Sequence, residues 1–309
     1  MKKIQLLILG YSSFMRRRAL PSIKKIQKIK YFICSKSNKI NLKKKILFND
    51  YDQALTKSKP DIVYISLINS LHFKYAKKAL EKGLNVIVDK PITTSLHETK
   101  ILLQLAQKKK LLISEAILYN HHNVFNKIIK LCNGVNNISH IQSNFNIPLI
   151  KNSNEIINIK GDCEMDMGPY AASIIRLFSD KTIKELKVFK EYFKTNKKAI
   201  KSFFVLAKLK NCTYFGNFGF DKTYISNITF FTKNKIISSP NRIFALPSNK
   251  DVSILVEQKK GIKKINIKRD DCILNFFKKI LYAIKYKKNK NFYNNILSDA
   301  IIREKINLT

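Results

Sequence analysis

The chain has 309 residues, 45% of them hydrophobic, which allows a sizeable core and favours two domains over one. Its formal net charge is +38, from 59 Lys+Arg against 21 Asp+Glu, but the lysines are spread from Lys2 to Lys305 among Asn and Ile, with no basic arm. That spread argues against a nucleic-acid binder and fits the bias of an AT-rich coding genome; attraction of a phosphorylated substrate is the alternative use of the charge.

In chain order, the start "MKKIQLLILGYSSFMRRR" imitates a signal peptide, but Gln5, Gly10 and three arginines interrupt it. A buried first strand, "IQLLILG" (4–10), fits better. A helix over "RRRALPSIKKIQ" and a strand "YFIC" (31–34) follow, then a short strand at "ILF" and a helix before "DIVYIS" (61–66). The run Lys43-Lys44-Lys45 before that short strand, like Lys108-Lys109-Lys110 later, reads as a solvated face. "LHFKYAKKALEKG" has helical period with Gly83 as its stop, and "LNVIVDKP" is the next strand. "SLHETKILLQLAQKKK" is a helix with Ser95 and Glu98 at capping-box spacing, and "LLISEA" is a further strand. This alternation predicts an α/β, Rossmann-type doubly wound parallel sheet over residues 1–118.

From residue 119 the pattern changes. "LYNHHNVFNKIIKLCNG" reads as one helix ending at Gly134, and β-like segments then succeed one another from "HIQSNFNIPLI" to "DVSILVEQKKGIKKINI". They predict an α+β domain over 119–309 with an open, mostly antiparallel sheet. "PYAASIIRLFS" is its embedded helix. Two amphipathic helices, "CILNFFKKILYAIKYK" and "FYNNILSDAIIREKI", end the chain and could fold back on the first domain.

The five cysteines (Cys34, Cys132, Cys163, Cys212, Cys272) form no C-x-x-C, and no Cys/His spacing suits zinc. Reduced thiols, a cytoplasmic location and no metal are expected, and no stretch has the length of a membrane span.

The turn after the first strand, "LGYSSFMRRR", keeps Gly10 but has Ser12 and Met15 where a dinucleotide fingerprint has glycine. Gly10, Ser12, Ser13 and Phe14 are the candidate phosphate-binding residues there. At the end of the second strand stand Ser35 and Lys36, with no acid for ribose hydroxyls. A hydroxyl and a cation suit a 2′-phosphate, so NADP(H) is favoured over NAD(H); Lys36 as one more surface lysine is the bland alternative.

At "INSLH" (68–72), "VDKP" (88–91) and "DMGPY" (166–170) the chain resembles the glucose–fructose oxidoreductase/inositol dehydrogenase (Gfo/Idh/MocA) family. That family has N-x-L-H, E-K-P and D-x-G-x-[HY] in these places. "GYSSFMRRRALPSI", "GDCEMDMGPYAASIIRLF", "FGNFGFDKTYISNITFF" and "RIFALPS" look like its nucleotide-sugar ketoreductase branch. The resemblance implies hydride transfer between a nicotinamide and a carbonyl or hydroxyl of a sugar or nucleotide-linked sugar. Lys90 would orient the reacting oxygen, Tyr170 would supply the proton, and Asp166 would hold substrate or the lysine. Asn69, His72 and Asp89 would lie along the cofactor, and Tyr119 and His122 would face substrate. A homodimer or homotetramer is expected, because the open sheet face needs cover.

The chain departs from the family at Asp89 for Glu, Ile68 for Pro, Asn120-His121 within Y-R-[FY]-H, and Asp162 beside Gly161. A non-catalytic nucleotide-binding relative, acting as regulator or scaffold, therefore stands as the second reading. The acids Asp162, Glu164 and Asp166 mimic a calcium loop, but its twelfth position is Ser173 and its glycine, Gly168, comes one place late. Asp166 and Tyr170, four apart, are expected on one helix face, with Asp162 and Glu164 as bystanders.

Overall fold

The computed structural model describes residues 3–36, 47–149, 161–179, 182–194, 198–220 and 222–309. The Lys43-Lys44-Lys45 run lies outside the described residues. Two compact units result: Met1–Ala116 with Ile273–Leu297, and Ile117–Cys272 with Ser298–Thr309.

In the first unit, β1 (Ile4–Leu9), β2 (Ile29–Cys34), β3 (Leu47–Phe48), β4 (Ile62–Ile65), β5 (Asn85–Val88) and β6 (Ile113–Glu115) form a sheet ordered β3-β2-β1-β4-β5-β6. Every pair is parallel. This is the doubly wound arrangement expected from the apolar runs: Leu6–Leu9 and all of Ile62–Ile65 are buried, as strands covered on both faces must be. Helices α1 (Leu20–Lys24), α2 (Tyr51–Lys57), α3 (Asn69–Glu81) and α4 (Leu96–Lys108) supply the crossovers. The turn into α1 is π-helical over Met15–Ala19. Caps follow the sequence: Asp50 accepts the Gln53 N–H at 2.7 Å and Ser95 the Glu98 N–H at 3.2 Å. Tyr293 and Ile296, near the chain's end, bury in this unit's core beside Tyr75 and Leu80.

The second unit carries α5 (Asn123–Leu131), β7 (Ile138–Ile147), α6 (Cys163–Phe178) and β8 to β14 (Ile183–Tyr192, Ile200–Leu209, Thr213–Phe220, Ile225–Thr232, Ile236–Ser238, Val252–Gln258, Gly261–Ile267). Its eight strands run β14-β13-β12-β11-β7-β10-β9-β8. The sheet is mostly antiparallel, as expected; the exception is the parallel pairing of β7 with β10. Helix α6 packs on β7, β9 and β10 and buries Met167, Ala171, Ile174 and Phe178 against Phe203 and Phe218. Helices α7 (Cys272–Tyr286) and α8 (Lys290–Leu308) close the chain.

Two local expectations are corrected. The single helix expected before Gly134 is split: a 3₁₀ turn at Tyr119–His121 precedes α5, and His122 caps it, Nδ1 accepting the Val124 N–H at 3.1 Å. Helix α6 starts at Cys163, six residues before Pro169, because Asp162 caps it through Oδ1 to the Met165 N–H at 3.0 Å. Its other oxygen accepts the Ile200 N–H at 3.1 Å, tying the helix start to β9, so Asp162 is no bystander.

Candidate functional site

In the first unit the candidate residues gather at the carboxyl ends of β1, β4 and β5, beside the switch point where the strand order reverses between β1 and β4. Gly10 follows β1 with φ +97°. Ser12 accepts the Met15 N–H at 3.0 Å through Oγ, and Ser13 and Phe14 open the helical run that continues into α1. Free N–H groups at such a start suit a pyrophosphate. Ser35 and Lys36 follow β2, and the Lys36 ammonium lies 5.5 Å from the Tyr51 ring centre.

Asp89 and Lys90 follow β5, and the Lys90–Pro91 bond is cis. Asp89 is half-buried, and both its oxygens are taken: Tyr64 donates to Oδ1 at 2.8 Å and Ser66 to Oδ2 at 2.6 Å. Burial raises the Asp89 carboxyl above its ordinary range; the two hydroxyls, His72 and Lys90 oppose that rise. His72 is buried in α3, with Nδ1 2.7 Å from the Pro91 carbonyl oxygen and Nε2 3.1 Å from that of Leu67. A carbonyl can only accept, so the ring braces the turn after Lys90. Asn69 is the first residue of α3.

Sequence reasoning passed over Glu115. It ends β6 with 7% exposure, and its Oε1 accepts the Ile92 N–H at 2.9 Å, bracing the other side of Pro91. The one available signal is an acid closing the apolar strand "LLISEA".

In the second unit, Asp166 and Tyr170 lie four apart on α6, hence on one face. The half-buried Tyr170 ring sits 5.7 Å from Tyr119, 5.0 Å from Phe145 and 4.9 Å from Phe244, centre to centre. Tyr119 is turned inward: its hydroxyl meets Ser173 Oγ at 2.7 Å, and burial pushes its pKa far up. Burial depresses His122, and Asp270 partly offsets this. With Nδ1 accepting a backbone N–H, the neutral ring carries its proton on Nε2, which is buried without a hydrogen-bond partner among the described residues. Asn120 Oδ1 is in the same condition.

Glu164 also departs from expectation. It is largely buried, 3.5 Å from the Lys190 ammonium, and burial raises its pKa from 4.5 to about 7, because a contact this long offsets only part of the lost hydration. The folded chain therefore binds the proton more tightly than the unfolded one. Stability falls as pH rises from about 4.5 to about 7, and Glu164→Gln removes that slope, read from urea midpoints against pH.

Among the described residues no group of three or more His, Cys, Asp or Glu could hold a metal ion, and no helix is long and apolar enough to cross a membrane. All five cysteines are buried and outside any disulfide.

Residues 7–117 match the family described as "Oxidoreductase family, NAD-binding Rossmann fold". Over these residues the chain is similar to the Gfo/Idh/MocA oxidoreductase family. D-xylose 1-dehydrogenase (NADP(+)) 2 of Haloferax volcanii is 30% identical over 135 residues, 42% of each chain. The dTDP-3,4-didehydro-2,6-dideoxy-alpha-D-glucose 3-reductase of Saccharopolyspora spinosa is 25% identical over 187 residues, 57% of this chain and 56% of that enzyme. The chain thus spans about half the length of the curated relatives it matches. A 3-ketoreductase from Actinomadura kijaniata, solved with NADP and TDP-benzene, superimposes with a TM-score of 0.91 at 19% identity, covering 99% of this chain and 98% of that one. At that identity the likeness shows the fold alone.

Proposed function

We propose that the protein is an NADP(H)-dependent oxidoreductase that reduces a keto group on a sugar, in the leading reading a nucleotide-linked one. The observation that carries the reading is the site of the first unit. Lys90 follows Asp89 at the end of β5, braced by His72 and Glu115, at the end of the sheet where doubly wound folds bind nucleotides. The relatives named as NADP-dependent sugar dehydrogenases and dTDP-sugar 3-reductases support it.

The residues fit a nicotinamide dinucleotide. The Gly10 turn runs so close to the Ser66 backbone that a Cβ has no room, and it leads into a helix start that suits a pyrophosphate. In the proposal Gly10, Ser12, Ser13 and Phe14 hold the pyrophosphate, Ser35 and Lys36 hold the 2′-phosphate, and Asn69, His72 and Asp89 line the nicotinamide half. The bound cofactor supplies the hydride.

Hydride arrival turns the carbonyl oxygen into an alkoxide, which needs a positive neighbour and a proton. Lys90 orients that oxygen and stabilises its charge, and Tyr170 gives the proton. The aromatic ring contacts that fix Tyr170 preorganise its hydroxyl, with Asp166 one turn earlier to engage substrate. Tyr119 backs the Tyr170 ring, and the unpartnered Nε2 of His122 offers substrate a hydrogen bond. A second copy of the chain is proposed to cover the outer sheet face, where Phe189 is 57% and Leu206 42% exposed.

The test is turnover of an NADPH-dependent keto-sugar reduction by Lys90→Met and Tyr170→Phe. Each is expected to lower kcat by about a hundredfold or more while the protein stays folded. Near-normal turnover in both would show that the roles are misassigned.

A further inference from the structure

Ser12, which stands where the dinucleotide fingerprint has glycine, and Asp89, which stands where the family has glutamate, are joined in space. Ser66 Oγ lies 2.6 Å from Asp89 Oδ2 and 3.1 Å from Ser12 Oγ. A carboxylate only accepts, so the single Ser66 proton goes to Asp89. Ser66 must then accept from Ser12, whose own lone pair takes the Met15 N–H at 3.0 Å. Tyr64 donates to the other Asp89 oxygen at 2.8 Å. Every proton in the run thus has one direction, from the start of the helix after β1, through the end of β4, to the residue before Lys90.

We propose that Tyr64, Ser66 and Ser12 are positioning residues that seat the shortened Asp89 carboxylate beside Lys90 and couple that seat to the dinucleotide turn. The proposal rests on the reading of Lys90 given above. Tyr64 is fully buried in β4, with its ring 6.0 Å from Phe277, so its hydroxyl has a fixed place. An Asp side chain is one methylene shorter than Glu, and a tyrosine reaching out from the neighbouring strand spans the gap. A glycine at position 12 would leave the Ser66 oxygen without its donor. Each of the two residues therefore makes sense with the other, through Ser66.

The charged or titratable groups facing Asp89 are Tyr64, His72 and Lys90. His72, Lys90 and both hydroxyls favour the ionised carboxylate, and burial alone disfavours it. Removing a hydroxyl donor therefore makes Asp89 take up its proton at higher pH. Lys90 then loses its negative neighbour at a pH where the native site keeps it. The acid limb of the activity profile moves up, and the alkaline limb stays.

The experiment follows the Asp89 carboxyl carbon by NMR in the ligand-free, full-length protein, the resonance assigned by its loss in Asp89→Asn. Tyr64→Phe and Ser66→Ala are expected to move its titration midpoint upward. Ser12→Ala is expected to do the same more weakly, and Ser12→Thr, which keeps the hydroxyl, to restore the native midpoint. In turnover, Tyr64→Phe and Ser66→Ala are expected to lose about tenfold in kcat at neutral pH, with the acid limb displaced upward and NADPH affinity changed by no more than about twofold. Unmoved carboxyl midpoints in folded Tyr64→Phe and Ser66→Ala would overturn the proposal. The titration decides it whether or not a substrate is in hand, whereas absence of any nicotinamide binding by the native chain would overturn only the reductase reading.

Discussion

Gly10→Ala is expected to abolish the native fold of the first unit or to cost it about 3 kcal/mol or more. Gly10 sits at φ +97°, where an L side chain is strained. Its Cβ would lie 2.1 Å from the Ser66 carbonyl oxygen and 2.8 Å from the Ser66 carbonyl carbon, both backbone atoms. Neither side can give way. The Gly10 N–H donates to Cys34 at 2.8 Å and the Ser66 N–H donates to Leu9 at 2.8 Å, so a shift breaks the ends of three strands. Urea unfolding reads the effect, with Gly168→Ala as control. A Cβ at Gly168 meets nothing within 4 Å, and inside α6 the change should be neutral or stabilise by roughly 0.5–1 kcal/mol. If Gly10→Ala unfolds at the native urea concentration, the tight turn is wrong.

Asp299→Ala is the second large effect. Arg176, in the last turn of α6, donates from Nε to Asp299 Oδ1 at 2.6 Å, and the two side chains are 6% and 3% exposed. Removing the acid strands a guanidinium in the core of the second unit, at a cost of about 3–5 kcal/mol. Replacing both partners, as in Arg176→Met with Asp299→Leu, should recover most of that loss, because neither charge then needs hydration. Helix α6 carries Asp166 and Tyr170, so the single variant should also unsettle the aromatic seat of Tyr170. A single-variant loss below about 1 kcal/mol would mean that the pair is hydrated.

The parts of the fold legible in the sequence are those set by local pattern. Apolar runs such as "IQLLIL" and "IVYI" announce strands buried on both faces, and the Gly10 turn follows the first of them. Lys90, Asp166 and Tyr170 stand out through short motifs whose spacing survives in one chain. What stays hidden depends on partners far along the chain. The start of α6 reads as Pro169 because proline favours a first helical turn, yet Asp162 sets it by capping the Met165 N–H and is itself held by the Ile200 N–H, 38 residues away. Glu164 reads as a bystander, and only the packing around it reveals its burial. Asp89 looks like a conservative replacement until Tyr64 and Ser66 are seen to take both its oxygens. The parallel pairing of β7 with β10 is equally non-local, since strand order is not written in period-two alternation.

The central claim, that this is a nicotinamide-dependent oxidoreductase, is tested most directly by titrating the native protein with NADPH and NADH and following nicotinamide fluorescence. Saturable binding on the order of micromolar is predicted for NADPH, and weaker binding for NADH, because Lys36 offers the 2′-phosphate a cation. Binding of neither cofactor would contradict it.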